Sequence, residues 1–237
     1  GLRYGVIETP EKYHLEWKEE TEDNEIKTLK LLDGHLLQLC EKSRFLEILH
    51  DFIVFDSGIK KVCRHNQFFG VKEAQKKLRK QEGGIIWHTQ GSGKSLTMVW
   101  LAKWILANIT DSRILVVTDR TELDEQIEGV FKGVGEEIHR TKSGEDLINQ
   151  LNNKENSLVC SLIHKFGRST DEDLKDEDYE KYIEDVKRNL PPDFSPKGNI
   201  VVFIDECHRT QSGKLHKALK EILKISIIIG FSGTPLM

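Results

Sequence analysis

The string His88-Thr89-Gln90-Gly91-Ser92-Gly93-Lys94-Ser95 places an ammonium and a hydroxyl directly behind two glycines. With no Cβ at Gly91 or Gly93, successive backbone N–H groups can turn inward and converge on an oxyanion. A short apolar strand, Ile85 to His88, leads in, and an apolar helix, Ser95 to Asn108, leads out. The positive end of that helix, near Lys94, adds to the attraction for an anion. In this setting the string reads as the phosphate loop GxxxxGK[ST], with His88 where the strict form has glycine. Thr89, Gln90, Gly91, Ser92, Gly93, Lys94 and Ser95 are then the candidate nucleotide-binding residues. Lys94 would reach the β- and γ-phosphates, and the Ser95 hydroxyl would be a ligand to Mg2+.

Two further strings would complete a hydrolytic site. The apolar run Ile200 to Ile204 ends in Asp205-Glu206-Cys207-His208, which sets two carboxylates at the carboxyl edge of a sheet. Asp205 would hold Mg2+ through water, and Glu206 would orient and deprotonate an attacking water. Alone, a strand-terminal acidic pair also suits an ordinary helix start. A second run, Ile225 to Ile229, passes through Gly230-Phe231 into Ser232-Gly233-Thr234-Pro235, bringing two hydroxyls to the same edge. Alone, that tetrapeptide is equally a plain polar turn. Lys94, Asp205 and Glu206 are the candidate catalytic groups, with Ser95 and Asp205 the candidate Mg2+ ligands.

Short strands must carry all three strings to one place. Ile85–His88, Ile114–Thr118, Ser157–Leu162, Ile200–Ile204 and Ile225–Ile229 alternate with helical stretches at Ser95–Asn108, Glu122–Phe131 and Leu215–Leu223. Strands apolar on both faces, alternating with helices, call for an α/β fold with a mainly parallel sheet covered on both sides. The first third has a different texture. Leu2–Ile7 and Tyr13–Trp17 predict short strands about a Thr9-Pro10 turn. Leu32, Leu36, Leu39, Phe45, Leu46, Leu49, Phe52 and Ile53 fall at the steps of one or two packed helices. Residues 1–60 therefore read as a small connector docked on a main body over 61–237. Thr170 to Pro196 is a charged insertion, with a helix near Tyr179–Asn189 that Pro191-Pro192 ends.

Composition narrows the class. Charged residues make up 31% of the 237, above the usual ~25%. A chain of this size buries roughly 70% of its unfolded surface without a metal or disulfide staple. No apolar run approaches the ~18 residues of a membrane span. The start has neither a signal core nor a Met, so Gly1 reads as an internal position in a longer protein. Cys40, Cys63, Cys160 and Cys207 are scattered, which excludes a cysteine-cluster metal site and fits a reducing, cytoplasmic setting. The net charge of -4 gives no global pull towards nucleic acid. Lys60 to Lys80 does hold eight Lys or Arg against one Glu. It reads as the solvated face of a helix over Val71–Lys80, with contact to DNA phosphates the alternative.

GSGKS, DECH and SGTP, in that order, resemble motifs I, II and III of superfamily 2 helicases and translocases. The wider text resembles the motor subunit of type I restriction enzymes. "WHTQGSGKSLTMVWL" over Trp87–Leu101 and "ILVVTDRTELDEQI" over Ile114–Ile127 carry that likeness. So do "DFIVF" at Asp51–Phe55, "RHNQFF" at Arg64–Phe69 and "LIHKF" at Leu162–Phe166.

The resemblance implies a RecA-like P-loop NTPase lobe, the first of two, that couples hydrolysis of ATP with Mg2+ to translocation along double-stranded DNA before cleavage. It implies a prokaryotic complex with modification (methyltransferase) and specificity subunits. By the same likeness Gln67 would read adenine, and Thr118, Asp119 and Arg120 would touch the DNA backbone. His208, Ser232 and Thr234 would couple nucleotide state to DNA grip. The second lobe of such motors supplies an arginine worth about 10³–10⁵ in rate. Residues 1–237 alone are thus expected to bind Mg-ATP weakly and barely turn it over. Glu16-Trp17-Lys18 has the ExK form of a nuclease site but no upstream Asp. It reads as an exposed strand edge, and DNA cleavage is not expected. Two other classes stay open: a nucleotide-gated DNA-binding module without turnover, and a P-loop kinase, which would leave DECH and SGTP unexplained.

Overall fold

The computed structural model describes residues 2–19, 30–118, 121–162, 176–192, 194–207, 219–224 and 226–234. Strands β1 (Arg3–Tyr4) and β2 (Leu15–Glu16) pair antiparallel, followed by helices α1 (Leu31–Leu39) and α2 (Lys42–Asp51). Strands β3 (Ile53–Asp56) and β4 (Ile59–Val62) then form a hairpin. Ser57 and Gly58 link them, both at positive φ, as a two-residue turn between twisted strands requires. The helical spacing that seemed to run through Ile53 therefore stops at Asp51, and the expected boundary near residue 60 falls inside β4.

The main body follows as α3 (His65–Arg79), β5 (Gly84–Trp87), α4 (Lys94–Asn108), β6 (Ser112–Thr118), α5 (Thr121–Gly133) and β7 (His139–Arg140). It continues through α6 (Gly144–Asn152), β8 (Leu158–Leu162), α7 (Asp176–Arg188), β9 (Asn199–Ile204) and β10 (Ile227–Ser232). Six strands make one sheet in the order β5-β10-β9-β6-β8-β7, with every neighbouring pair parallel. This is the α/β architecture expected from the strand pattern. Helix α3 starts at His65 rather than Val71, and its basic side chains Lys72, Lys76 and Lys77 pair with Glu47, Glu73 and Glu82. Of the helix expected over Leu215–Leu223, residues 215–218 lie outside the described residues, and 219–222 are helical.

Alternation along the central strands divides the core into two layers. Ile114, Val116, Val201, Phe203, Ile229 and Phe231 face α3, α4, α5 and the N-terminal segment. Leu115, Val117, Ile200, Val202, Ile204 and Ile228 face α6, α7 and Leu219–Leu223. Each such side chain contributes roughly 1.5–3 kcal/mol on burial. The connector is less buried than its spacing suggested. Leu39, Ile48 and Phe52 join the core, while Leu32, Leu36, Phe45, Leu46 and Leu49 remain exposed, because α1 packs through Gly34, Gln38 and Leu39 instead. Trp17 is 0% exposed, so the expected exposed strand edge at Glu16–Lys18 is corrected: its central side chain is a core residue. Among the described residues no helix is long and apolar enough to cross a membrane.

Arg113 ties the lower edge of the sheet together. It is 5% exposed, and its guanidinium donates to the carbonyls of Gln150 (2.6 Å), Asn156 (3.0 Å), Lys197 (3.2 Å) and Leu151 (3.3 Å). Gln150 and Leu151 lie in the last turn of α6, where free carbonyls and the negative dipole end favour a cation. Gly198 (φ +83) permits the approach, since a Cβ there would lie 3.1 Å from Arg113 Cδ and 2.8 Å from the Asp111 carbonyl. Arg113→Ala leaves several buried carbonyls without a donor and should cost about 3 kcal/mol in urea denaturation. Arg113→Lys should recover little of it, because one ammonium cannot span four acceptors. A loss under about 1 kcal/mol for the alanine variant would show that water replaces the guanidinium.

Candidate active site

Parallel register brings the three chemical strings together. In the β5–β10 pair Trp87 lies opposite Ser232, and in the β10–β9 pair Gly230 lies opposite Ile204. The chain therefore leaves β5, β9 and β10 at one sheet edge, into 88–93, 205–207 and 233–234 respectively. His88 N donates to the Ser232 carbonyl at 3.0 Å, which seals the first of these loops to the third.

The glycine loop is held from outside. Gly91 (φ +75) and Gly93 (φ +87) both adopt left-handed backbone, and Gly93 caps α4. Gln67 Nε2 donates to the Gly93 carbonyl at 2.9 Å, and Thr97 Oγ1 donates to the same oxygen at 3.2 Å. Gln67 Oε1 accepts from Arg64 N at 2.8 Å, the back-bond of a capping glutamine at the third position of α3. Arg64 Nη1 reaches the Gly91 carbonyl at 3.3 Å, a contact that sequence reasoning missed although "RHNQFF" was in view. Gln67 is buried and still has one amide N–H and one lone pair for another partner. Ser92 Oγ is sealed from solvent and finds no partner among the described residues. The first helical residues, Lys94 and Ser95, are half-buried.

Lys94 Nζ donates to Glu206 Oε1 at 2.8 Å, with side-chain exposures of 13% and 16%. Gly233 borders the ammonium so closely that a Cβ there would sit 3.1 Å from it. Asp205 is buried, its N–H donating to the Val117 carbonyl and its Oδ1 accepting from Glu206 N, both at 3.0 Å. Glu206 adopts φ +47, an uncommon conformation for a non-glycine residue and one that recurs at functional sites. Cys207 next to this pair has its thiol pushed up to about 11, first by burial and then by the charges of Asp205 and Glu206. That keeps the thiol protonated at neutral pH. Ser95 and Asp205 offer the oxygen donors that Mg2+ takes beside water and phosphate, so the residues present fit that ion.

Other expected residues fall differently. Ser232 is buried and stitches its own turn, with Oγ donating to the Thr234 carbonyl at 2.7 Å and accepting from Thr234 N at 3.1 Å. Thr234 itself is exposed. Thr118 is 0% exposed at the end of β6, so the expected contact of its hydroxyl with a DNA backbone is corrected: that side chain faces the interior. Asp119, Arg120 and His208 lie outside the described residues.

A parallel sheet with a glycine loop, a cation and two carboxylates at its carboxyl edge defines a P-loop NTPase lobe. Residues 66–237 match the SWI2/SNF2 ATPase family, and the chain belongs to it. A putative type I restriction enzyme endonuclease subunit of Methanocaldococcus jannaschii is 32% identical over 217 residues, covering 86% of this chain and 19% of that protein. The chain thus spans about a fifth of that relative. The UvsW helicase from bacteriophage T4 superposes with a TM-score of 0.55 at 18% identity, over 81% of this chain and 60% of its own. The Sulfolobus solfataricus SWI2/SNF2 ATPase core, solved in complex with double-stranded DNA, gives 0.53 at 16%, over 79% and 34%. Both share the RecA-like lobe fold.

The two loop glycines make a controlled pair. A Cβ at Gly91 meets nothing within 4 Å, whereas one at Gly93 would lie 2.4 Å from Gln67 Nε2. Gly91→Ala should cost only the left-handed strain, about 1–2 kcal/mol. Gly93→Ala adds the displaced Gln67 amide and should cost about 1 kcal/mol more. Chemical denaturation of the two ligand-free variants decides it, and equal losses would mean the Gln67 clamp contributes nothing.

Proposed function

We propose that this chain contains the first ATP-binding motor lobe of a DNA translocase within a type I restriction–modification system, with residues 61–237 as the lobe and 1–60 as its docked connector. The observation that carries the reading is the contact between Lys94 and Glu206, 112 positions apart in sequence yet 2.8 Å apart in space. The type I relative and the family membership support it. Double-stranded DNA is the proposed track, modification and specificity subunits the proposed partners, and the prokaryotic cytoplasm the proposed setting.

In this reading the loop N–H groups of 91–95 and the Lys94 ammonium bind the β- and γ-phosphates of ATP. Ser95 and Asp205 would hold Mg2+, which offsets charge on the phosphate oxygens when bound. Glu206 leaves Lys94 as phosphate arrives, then takes a proton from the attacking water and aligns it. The remaining Gln67 donor and acceptor suit the adenine edge. Gly233, against Lys94, lets the Ser232–Thr234 turn sense whether the ammonium is engaged by carboxylate or by phosphate. Site-specific DNA cleavage belongs to the longer polypeptide.

Titration of residues 1–237 with a fluorescent ATP analogue and Mg2+, with and without duplex DNA, tests this. Lys94→Ala should weaken binding by about 100-fold or more, since a buried charge-assisted contact is lost. Glu206→Gln should bind as well as the parent or a few-fold more tightly, because the carboxylate that competes for Lys94 is gone. Steady-state hydrolysis by the parent should stay near background, with the second lobe's arginine missing. Unchanged binding by Lys94→Ala would sink the site assignment. Phosphoryl transfer to an added acceptor, indifferent to DNA, would point to a kinase instead.

A further inference from the structure

His88 departs from the strict phosphate-loop pattern, and the proposed chemistry gives it no task. Its surroundings are specific. The ring lies against Gly70 in the second turn of α3, where a Cβ would come 3.0 Å from His88 Cε1 and 3.1 Å from Nε2. Its backbone N–H holds the Ser232 carbonyl. Its Nδ1 is sealed from solvent and without a partner among the described residues. Burial, opposed by the Asn66 backbone and aided by the Lys94 and His65 charges, holds its pKa below the ordinary histidine value, so the ring is neutral at pH 7.

The same helix grips the other end of the loop. Gln67 takes the Gly93 carbonyl and Arg64 the Gly91 carbonyl. Loop residues 88, 91 and 93 are thus each set against α3, at positions 70, 64 and 67. A glycine at 88 would supply only the two outer clamps. The imidazole stands at this third place, and a Cβ at 70 would press on it closely enough that the ring must shift by a few tenths of an ångström.

We infer that His88 is a positioning residue that wedges the start of the phosphate loop against Gly70 of α3, and that positions 70 and 88 form one complementary pair. The inference rests on the proposed nucleotide role of the loop. It has a signature that simple packing lacks. Alanine is favoured over glycine inside a helix, so Gly70→Ala should stabilise α3 once the imidazole is removed and disturb the loop while it is present.

A double-mutant cycle in the 237-residue chain, using Gly70→Ala, His88→Gly and both together, tests the pair. Mg-ADP affinity and melting temperature are read for each protein. With His88 present, Gly70→Ala should weaken Mg-ADP binding about tenfold, and with glycine at 88 it should leave affinity within about twofold. The melting temperature should fall in the first background and rise by a few degrees in the second. His88→Gly alone should weaken binding about tenfold through loss of the wedge, and His88→Ala replaces it if glycine loosens the loop beyond folding. An equal effect of Gly70→Ala in both backgrounds overturns the inference, as does a melting shift with unchanged affinity. Absence of Mg-ADP binding to the parent, or equal binding by Lys94→Ala, overturns the nucleotide reading and this inference with it. Loss in Lys94→Ala without coupling between 70 and 88 overturns the inference alone.

Discussion

The site depends on one constraint, the parallel register of β5, β10 and β9. These strands begin at Gly84, Ile227 and Asn199, so no local sequence contact holds their ends together. Ladder hydrogen bonds and the core beneath them do it. Phe203 and Phe231 meet edge to face, with ring centroids 5.3 Å apart, each two residues before its strand's functional loop. A shift of either strand by a single residue would turn its phenylalanine to the opposite face of the sheet and part the two rings. The same burial that stabilises the sheet therefore fixes how Glu206 and Gly233 stand around Lys94.

Given that frame, the loop's polarity follows from where its carbonyls go. A backbone that turns N–H groups towards an anion must turn carbonyl groups away from it, and each needs a donor. Arg64, Gln67 and Thr97 supply those donors to Gly91 and Gly93 from the outer side. The inner side keeps an ammonium paired with a carboxylate in a mostly enclosed position. Such a pair offsets the cost of desolvating either charge alone. In the proposed reading, a phosphate would enter by replacing one anion with another, without having to strip water from a bare cation.

Much of this was legible in the sequence, because the informative signals were local. Glycine spacing, the hydroxyl after Lys94, and apolar runs ending in Asp205-Glu206 or Ser232-Gly233 each state a strand end and a loop. Five strands of the parallel sheet followed from runs apolar on both faces, while the two-residue edge strand β7, His139–Arg140, left no such run. What escaped notice depended on partners far away in sequence. The Asp56-Ser57-Gly58 turn was a readable hairpin signal, missed because the helical spacing was carried through Phe52 to Ile53, the first residue of β3. Thr118 ends an apolar strand just as a surface-contact residue would, and only its packing shows that it faces inward. Exposed leucines on α1 and α2 have the same periodicity as buried ones, since periodicity reports a face and not what covers it. Arg113 carries no local signal of its role, because the three backbone segments that close around it are far away in sequence.

The connector's importance is likewise visible only in three dimensions. Trp17 packs against Phe68 and Phe69 at centroid distances of 5.5 and 5.6 Å, and Phe52 packs against Phe68 at 4.9 Å and Trp100 at 6.1 Å. The Arg44 guanidinium stacks over Trp17 and Phe69, and Tyr4 Oη donates to the Cys63 carbonyl at 2.9 Å. The ring contacts with Phe68 and Phe69 fall on the first turns of α3, next to Gln67, that with Trp100 on α4, which starts at Lys94, and the Tyr4 bond on Cys63, just before α3. Residues before 60 thus press from behind on the two helices that shape the glycine loop. Aromatic side chains suit that task, because each orders a large contact area at the cost of two torsions. A chain cut at the apparent boundary would keep every chemical group named here and lose the surface that holds α3 in place.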